Sequence, residues 1–362
     1  MRHSYAWIVS RAGPSFDVMT IKSAQPAKAT TNEQPAKTTP NAQPAKTPPN
    51  AQPATMKAAR IHEFGGPSVI RHEEAPRPRP AAGEVVVRVA ATSFNPTEAA
   101  LRQGLLQRFL PVELPYVPGW DVAGTVTELG PDVTGLAVGD RVLGRVDGAG
   151  GAAEYVRAPA AALVPAPASI PLAHAAALPV AGLTAWQAVF EHGKVSAGQR
   201  VLVNGAGGGV GGLVTQLARH AGAHVVATAG PRSTDAVRRQ GADEVIDYTV
   251  TPVAEALAGQ VDTLLNLVPL GPQDAAALVP LVRPGGRIVS IATPVEAGPE
   301  VTALHMVARN DPADLAALVA LVDAGTVAVD ISGTYPLSRL AEVHRLGEAG
   351  RIRGKVLVIP GA

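Results

Sequence analysis

Hydrophobic positions along this chain fall into two textures. From Met56 to about Pro167, short runs rich in β-branched residues are divided by Gly and Pro. "EVVVRVAATSF", "VAGTVTELG" and "DRVLGRV" alternate or cluster their apolar residues, and "LGPDVTGLAVGD" is a turn-rich connection. Such runs predict β-strands and, together, a compact β-barrel-like module. From about His174 the pattern switches between strand-like clusters and helical spacing. "RVLVNGA", "HVVATAG", "EVIDY", "DTLLNLV" and "GRIVSIA" predict strands, and "GGLVTQLARHAG", "TDAVRRQGA" and "PQDAAALVPLVRPGG" predict the helices between them. That alternation implies parallel strands joined by crossover helices, a doubly wound α/β sheet. The closing "GKVLVIPGA" predicts a strand that rejoins the first module.

The first 55 residues follow neither texture. "QPAKATTNE", "QPAKTTPNA", "QPAKTPPNA" and "QPAT" begin at Gln25, Gln34, Gln43 and Gln52, a nine-residue Pro/Thr/Lys repeat. Each copy is too short and polar to bury a core, so residues 1–55 are expected to be a disordered tail. Arg2, Arg11, Lys22, Lys28, Lys37 and Lys46 face only Asp17 and Glu33 there, so the small basic balance of the chain, net +1, sits in the tail. No basic excess points to nucleic acid. "MRHSYAWIVSRAG" lacks the apolar core of a secretory signal, and an organelle-targeting peptide is the lesser reading.

With 46% apolar but only 4% aromatic residues, Ala, Val and Leu must do most of the packing. The chain has no cysteine, which excludes disulfides, thiolate zinc sites and a cysteine nucleophile. A reducing cytoplasm is the expected compartment. Ala158 to Phe190 is free of charge, yet Pro159, Pro165, Pro167, Pro171 and Pro179 would break a membrane helix there. It reads as a loop plus short buried segments, with no membrane partner.

"VLVNGAGGGVGGLVTQLA", Val201 to Ala218, sets a glycine loop between a strand and a helix. Gly207, Gly209 and Gly212 match G-x-G-x-x-G, the pattern that turns tightly and admits a pyrophosphate against bare backbone at a helix N-terminus. A carboxylate at the end of the next strand would hold a free ribose 2′-hydroxyl. Thr228–Gly230 contains none, and Arg232 and Ser233 follow as candidates for a 2′-phosphate, which favours NADPH over NADH. The short-chain dehydrogenases pair a similar loop with Tyr-x-x-x-Lys. Four places beyond the five tyrosines stand Val9, Trp120, Pro159, Pro252 and Arg339, none of them lysine.

"SFNPTEAALRQG", "LPYVPGWDVAGTVTELGPDVTGLAVGDRVLG", "GAAEYVRAPA", "LPVAGLTAWQAVF" and "VLVNGAGGGVGG" occur in that order. As an ordered set they resemble the medium-chain dehydrogenase/reductase superfamily, most closely its zinc-independent quinone oxidoreductase-like branch. The resemblance spans Met56 to Ala362. It implies a β-rich GroES-like catalytic domain over residues 56–173 plus 331–362, and a Rossmann dinucleotide-binding domain over 174–330. It implies that Asn95 lies beside the nicotinamide and the substrate carbonyl, with Glu98 where the commonest family form has Asp. Thr184 would bond near the nicotinamide carboxamide. Gly208, Gly209, Val210 and Gly211 would seat the pyrophosphate. Tyr248 would pack near the adenosine phosphate, and Lys355 would reach it from the returning strand. Trp120 and Asp121 stand where zinc-dependent members have a His-Glu pair; Trp120 reads as a substrate wall and Asp121 as structural. The histidines show no ligand spacing, so no metal is expected.

Without a metal to polarise a saturated ketone, hydride transfer favours acceptors that already spread the developing charge, a quinone or an α,β-unsaturated carbonyl. Two alternatives stay open: an enoyl reductase acting on acyl thioesters, and an NADPH-binding sensor or interaction protein with little turnover. "EVTALHMVARN", Glu300–Asn310, follows the last strand of the expected parallel sheet and is the candidate edge for a homodimer.

Overall fold

The computed structural model describes residues 54–148 and 150–361. Residues 1–53, with all of the repeat but its last two residues, lie outside these, and Thr55, expected in the disordered tail, already opens the first strand. Strands β1 (Thr55–Ile61) and β2 (Ile70–Pro76) form an antiparallel pair. Strands β3 (Glu84–Ser93), β4 (Asp121–Leu129), β5 (Arg141–Arg145), β6 (Tyr155–Pro159) and β7 (Leu163–Pro165) build a mostly antiparallel sheet around the alternating valines of β3. Helix α1 (Pro96–Arg102) connects β3 towards β4. Ala158 to Phe190, expected to be a loop with short buried segments, supplies β7, α2 (Leu172–Ala175) and α3 (Pro179–Trp186).

The second half is the expected doubly wound sheet. Strands β8 (Arg200–Asn204), β9 (His224–Ala229), β10 (Glu244–Asp247), β11 (Val261–Asn266), β12 (Val282–Ser290) and β13 (Thr302–His305) run parallel in the order β10-β9-β8-β11-β12-β13. The order reverses between β8 and β11, and such a switch point opens a crevice beyond the strands' carboxyl ends. Between them run α4 (Gly209–His220), α5 (Thr234–Arg239), α6 (Val253–Ala256) and α7 (Pro272–Ala276). α4 buries Leu213, Val214, Leu217 and Ala218 and stops at Gly222, whose φ of 83° is the left-handed C-terminal cap that glycine adopts without strain.

Two expectations are corrected. "PQDAAALVPLVRPGG" is not one helix: α7 ends at Ala276, a single 3-10 turn covers Val279–Leu281, and β12 begins at Val282. Pro280 has no N–H to continue the helix, and Gly286 lies so close to Asp262 O of β11 (2.7 Å from an added Cβ) that only a bare strand fits. "EVTALHMVARN" does not follow the last parallel strand; its Thr302–His305 is that strand, and it ends the sheet.

After α8 (Pro312–Asp323), β14 (Ile331–Pro336), α9 (Leu340–Glu348) and β15 (Lys355–Ile359) carry the chain back. β15 pairs antiparallel with β3 and parallel with β14, extending the first sheet to seven strands. One apolar cluster spans both halves, taking in Ala91, Ala123 and Leu357, Val201, Leu213 and Leu217, and the buried Ala175, Ala176 and Ala177 at the end of α2. Among the described residues, no helix is long and apolar enough to cross a membrane.

Two buried charges tie α1 to its surroundings. Arg102, 1% exposed, donates to Gly65 O, to the Glu348 carboxylate and to His344 Nδ1. Glu98 accepts from Trp120 N at 2.7 Å, fastening α1 to the start of β4. Burial, reinforced by the neighbouring Asp121, pushes the Glu98 carboxyl up to about 7, outweighing that hydrogen bond.

Arg102→Ala is expected to cost about 3 kcal/mol or more in urea unfolding, because Glu348 and Gly65 O lose their buried partner. The Glu98 carboxyl holds its proton more tightly folded than unfolded, so stability present below pH 4.5 is lost as pH rises towards about 7. Glu98→Gln should therefore gain on wild type between those values, by up to about 3 kcal/mol. Melting curves that stay parallel from pH 4.5 to 8 would show that Glu98 is not the source.

Candidate active site

The glycine loop crosses the sheet's switch point, and its glycines are needed for different reasons. Gly205 turns the chain off β8 with φ 97°, where an added Cβ would meet Val268 at 2.5 Å. Gly207 lies against the Ser233 hydroxyl, Gly211 against Gly205 O, and Gly212 against the Gln240 amide. Gly209 faces Lys355 Cδ at 2.6 Å and Gly354 O at 3.0 Å. Gly208 differs, since it is exposed and an added Cβ would meet only Gly205 O, at 3.6 Å. Directly after it α4 starts with no side-chain cap. Gly212 N donates to Gly208 O and Gly209 N–H faces Gly354 O across a parallel bridge, but the N–H groups of Val210 and Gly211 have no acceptor among the described residues. Two unpaired donors at the positive end of a twelve-residue helix, beside an open glycine, fit a pyrophosphate.

A polar ladder holds this loop in place. Gly205 N donates to Thr228 Oγ1, Thr228 Oγ1 to Asn204 Oδ1, Asn204 Nδ2 to Asn266 Oδ1, and Asn266 Nδ2 to Ser290 Oγ. It runs across the carboxyl ends of β9, β8, β11 and β12. No motif announces it, because each residue is an ordinary strand terminus until the strands align.

The adenosine-side candidates come together beyond β9. Ser233, at the N-cap of α5, donates to Gly230 O at 3.2 Å and touches Gly207. Tyr248 is 56% exposed, its hydroxyl 3.6 Å from the position of a Cβ on Gly230. Arg232 Nη2 donates to Gly350 O at 2.9 Å, drawing the chain after α9 over this corner.

Asn95, Asp121 and Lys355 form the other wall. Asp121 is completely buried; it accepts from the Ser93 hydroxyl, from Asn95 Nδ2 at 2.8 Å and from Val180 N at 2.7 Å. Lys355 Nζ lies 3.4 Å from the same carboxylate, 2.8 Å from Asn95 Oδ1 and 3.1 Å from Phe94 O. Lys355, expected to reach a phosphate, has its ammonium among buried partners. Its methylenes lie against Gly209, but its ammonium turns inward to a buried carboxylate, a stronger partner in that low dielectric than solvent. Sequence reasoning assigned Asp121 a structural role; the hydrogen bond to Asn95 was invisible to it.

Thr184 lies in the last turn of α3, where its hydroxyl donates to Val180 O at 2.7 Å. Its single proton is thus engaged, and what it offers a carboxamide is an acceptor. Trp120 is 8% exposed, its indole N–H 3.3 Å from the Tyr116 hydroxyl, and with Leu105, Val112, Tyr116 and Val180 it makes an apolar surface beside Asp121. Among the described residues no group of three His, Cys, Asp or Glu is placed to hold a metal ion.

This geometry agrees with the chain's similarities to known proteins. Residues 81–168 match the family model of the alcohol dehydrogenase GroES-like domain, and residues 240–358 match one described as zinc-binding dehydrogenase. A chloroplastic quinone oxidoreductase of Triphysaria versicolor is 32% identical over 333 residues, covering 84% of this chain and 98% of that protein. A chloroplastic NADPH-dependent alkenal/one oxidoreductase of Arabidopsis thaliana is 33% identical over 318 residues, covering 84% of this chain and 80% of the relative. The solved quinone oxidoreductase from Coxiella burnetii superposes with a TM-score of 0.79 at 31% identity, over 84% of this chain and 99% of its own. The chain is an oxidoreductase that belongs to the quinone oxidoreductase-like branch of the medium-chain dehydrogenase/reductase superfamily.

Proposed function

We propose that this enzyme is an NADPH-dependent reductase that passes hydride to a quinone or to the β-carbon of an α,β-unsaturated carbonyl, without zinc. The observation that carries the proposal is the uncapped start of α4, two N–H groups without an acceptor among the described residues beside an exposed glycine, with Asn95 one lysine side chain away. Gly208, Gly209, Val210 and Gly211 would hold the pyrophosphate. The 2′-phosphate would fall to Arg232 and Ser233, with Tyr248 alongside. Arg232 spends one of its five N–H donors on Gly350 O, leaving the rest for an anion. The strand end ahead of them has no acid to prefer a free ribose hydroxyl.

When bound, the reduced nicotinamide supplies the hydride. The chain's part is to orient and to exclude water. Thr184 would accept a hydrogen bond from the carboxamide. Trp120 and its apolar neighbours would wall the acceptor. Asn95 retains one weakly engaged N–H, 3.5 Å from Ser93 O, to offer an oxyanion. The zinc-free reading rests on the donor set: the chain has no cysteine, and Asp121 is already bound to Asn95, Val180 and Ser93. Quinones and enones suit such a site because they delocalise the incoming charge themselves. The two similar enzymes named for quinone and alkenal/one chemistry support the same substrate class.

Assembly as a homodimer through the outer edge of β13 belongs to the proposal. The strand ends the sheet, and Leu304 and Val307 stand exposed on and just beyond it. Sedimentation at the mass of one chain would remove this part.

Purified protein should oxidise NADPH with 1,4-benzoquinone or a medium-chain enone, and bind NADPH at least about tenfold tighter than NADH. Failure with both acceptors, or alcohol oxidation that needs added zinc, defeats the reading; strong preference for an acyl thioester turns it into an enoyl reductase. Gly208→Ala should keep the melting temperature and weaken NADPH binding by about tenfold, since its Cβ enters the phosphate seat. Gly211→Ala should instead cost about 2 kcal/mol of stability by striking Gly205 O.

A further inference from the structure

We infer that Lys355 and Asp121 are positioning residues that lock the carboxamide of Asn95 in one orientation and fix its distance from the phosphate seat. The inference rests on the reading of Asn95 as the residue beside the reacting carbonyl. An ammonium only donates and a carboxylate only accepts. With Lys355 Nζ 2.8 Å from one end of the Asn95 amide and Asp121 Oδ2 2.8 Å from the other, only one of the two amide orientations is compatible with both partners. Oδ1 must face the lysine and Nδ2 the aspartate.

Both partners are themselves held. Asp121 takes the Val180 N–H on Oδ1, and the Ser93 hydroxyl on Oδ2, the oxygen that also accepts from Asn95. Lys355 Nζ donates also to Phe94 O, and its backbone N–H donates to Asp330 O at 2.8 Å. The side chains of the cluster itself are shielded from water: Asp121 is fully buried, Asn95 is 4% exposed and Lys355 5%. The orientation leaves two weakly engaged N–H donors in the cluster, the second N–H of Asn95 and the Lys355 N–H that faces Asp121 at 3.4 Å.

The lysine also reaches the other half of the site. Its Cδ and Cγ occupy the space a side chain on Gly209 would need, 2.6 and 3.1 Å from an added Cβ. The preceding Gly354 donates its N–H to Gly207 O at 3.1 Å. One side chain therefore spans from the first residue of α4 to the Asn95 amide. Cofactor phosphate and acceptor oxygen would thereby be referred to the same rigid element, where small displacements weigh heavily on rate.

The test compares full-length wild type with Lys355→Met and with Asp121→Asn/Lys355→Met. Three readouts are used: thermal melting, NADPH oxidation with 1,4-benzoquinone, and solvent exchange of the Asn95 side-chain NH2 in protein labelled with 15N-asparagine. That NH2 signal is assigned by its loss in Asn95→Asp. Lys355→Met should melt lower, because Asp121 is left uncompensated. The double variant should melt close to wild type. In both, kcat should fall about tenfold or more while the NADPH Kd moves less than about threefold, and the Asn95 NH2 should lose its protection. A double variant with wild-type kcat and a protected NH2 would mean that Lys355 only neutralises Asp121, which overturns the inference. A loss confined to NADPH affinity would make Lys355 a phosphate ligand and overturn it equally. Exchange needs no turnover, so a wild type inert towards NADPH and quinone would remove the proposed function while the NH2 signal still decides this point.

Discussion

A carboxylate shut away from water has to be surrounded by donors, and Asp121 imposes that constraint on the whole molecule. Its partners come from β3, from Asn95 at the N-cap of α1, from the first turn of α3 and from β15. Those segments are remote in the chain and belong to both halves of it. Leaving the charge unpaired would cost several kcal/mol, so the arrangement that satisfies it also fixes where α3 and the last strand must lie. The apolar cluster supplies most of the driving force for joining the two sheets, but apolar contact is tolerant of small slides. The aspartate is not, because each of its hydrogen bonds has a direction.

The glycine loop shows the complementary principle, function obtained by removing side chains. Most of its glycines are dictated by crowding against Val268, Ser233, Gly205 O, Gln240 or Lys355. They let the loop lie flat on its neighbours. Gly208 alone has space around it, and it is the one beside unpaired helix donors. A cluster of glycines thus contains two kinds of residue, those that allow the loop to pack and one that leaves room for something else.

The description of residues 240–358 as a zinc-binding dehydrogenase sequence records kinship in the sheet and the returning strand. Local chemistry is a separate matter. In this chain Trp120 fills the corner with an apolar ring, and the acid after it is bound to Asn95 and its neighbours. Glu98 reaches the Trp120 N–H and braces the same corner from α1.

Much of this was legible without coordinates. Alternation at period two and apolar spacing near period four are local properties, so strands, helices and the doubly wound order could be read from the chain. The strand–glycine–helix unit was equally plain, as was the lack of any cysteine. Readings that depend on one residue meeting another far away were less secure. Pro280 divided an expected helix, and the segment after β12 proved to be a strand of the sheet. Only the resemblance put Lys355 near a phosphate; its carboxylate partner is 234 positions away in the chain. The sequence by itself determined which elements form and which chemistries are closed to the protein, since those follow from side-chain type and short-range spacing. Only the tertiary structure decided which donor and acceptor each buried polar group received. That choice is made when β15 returns to β3 and brings a cation to a carboxylate that water can no longer reach.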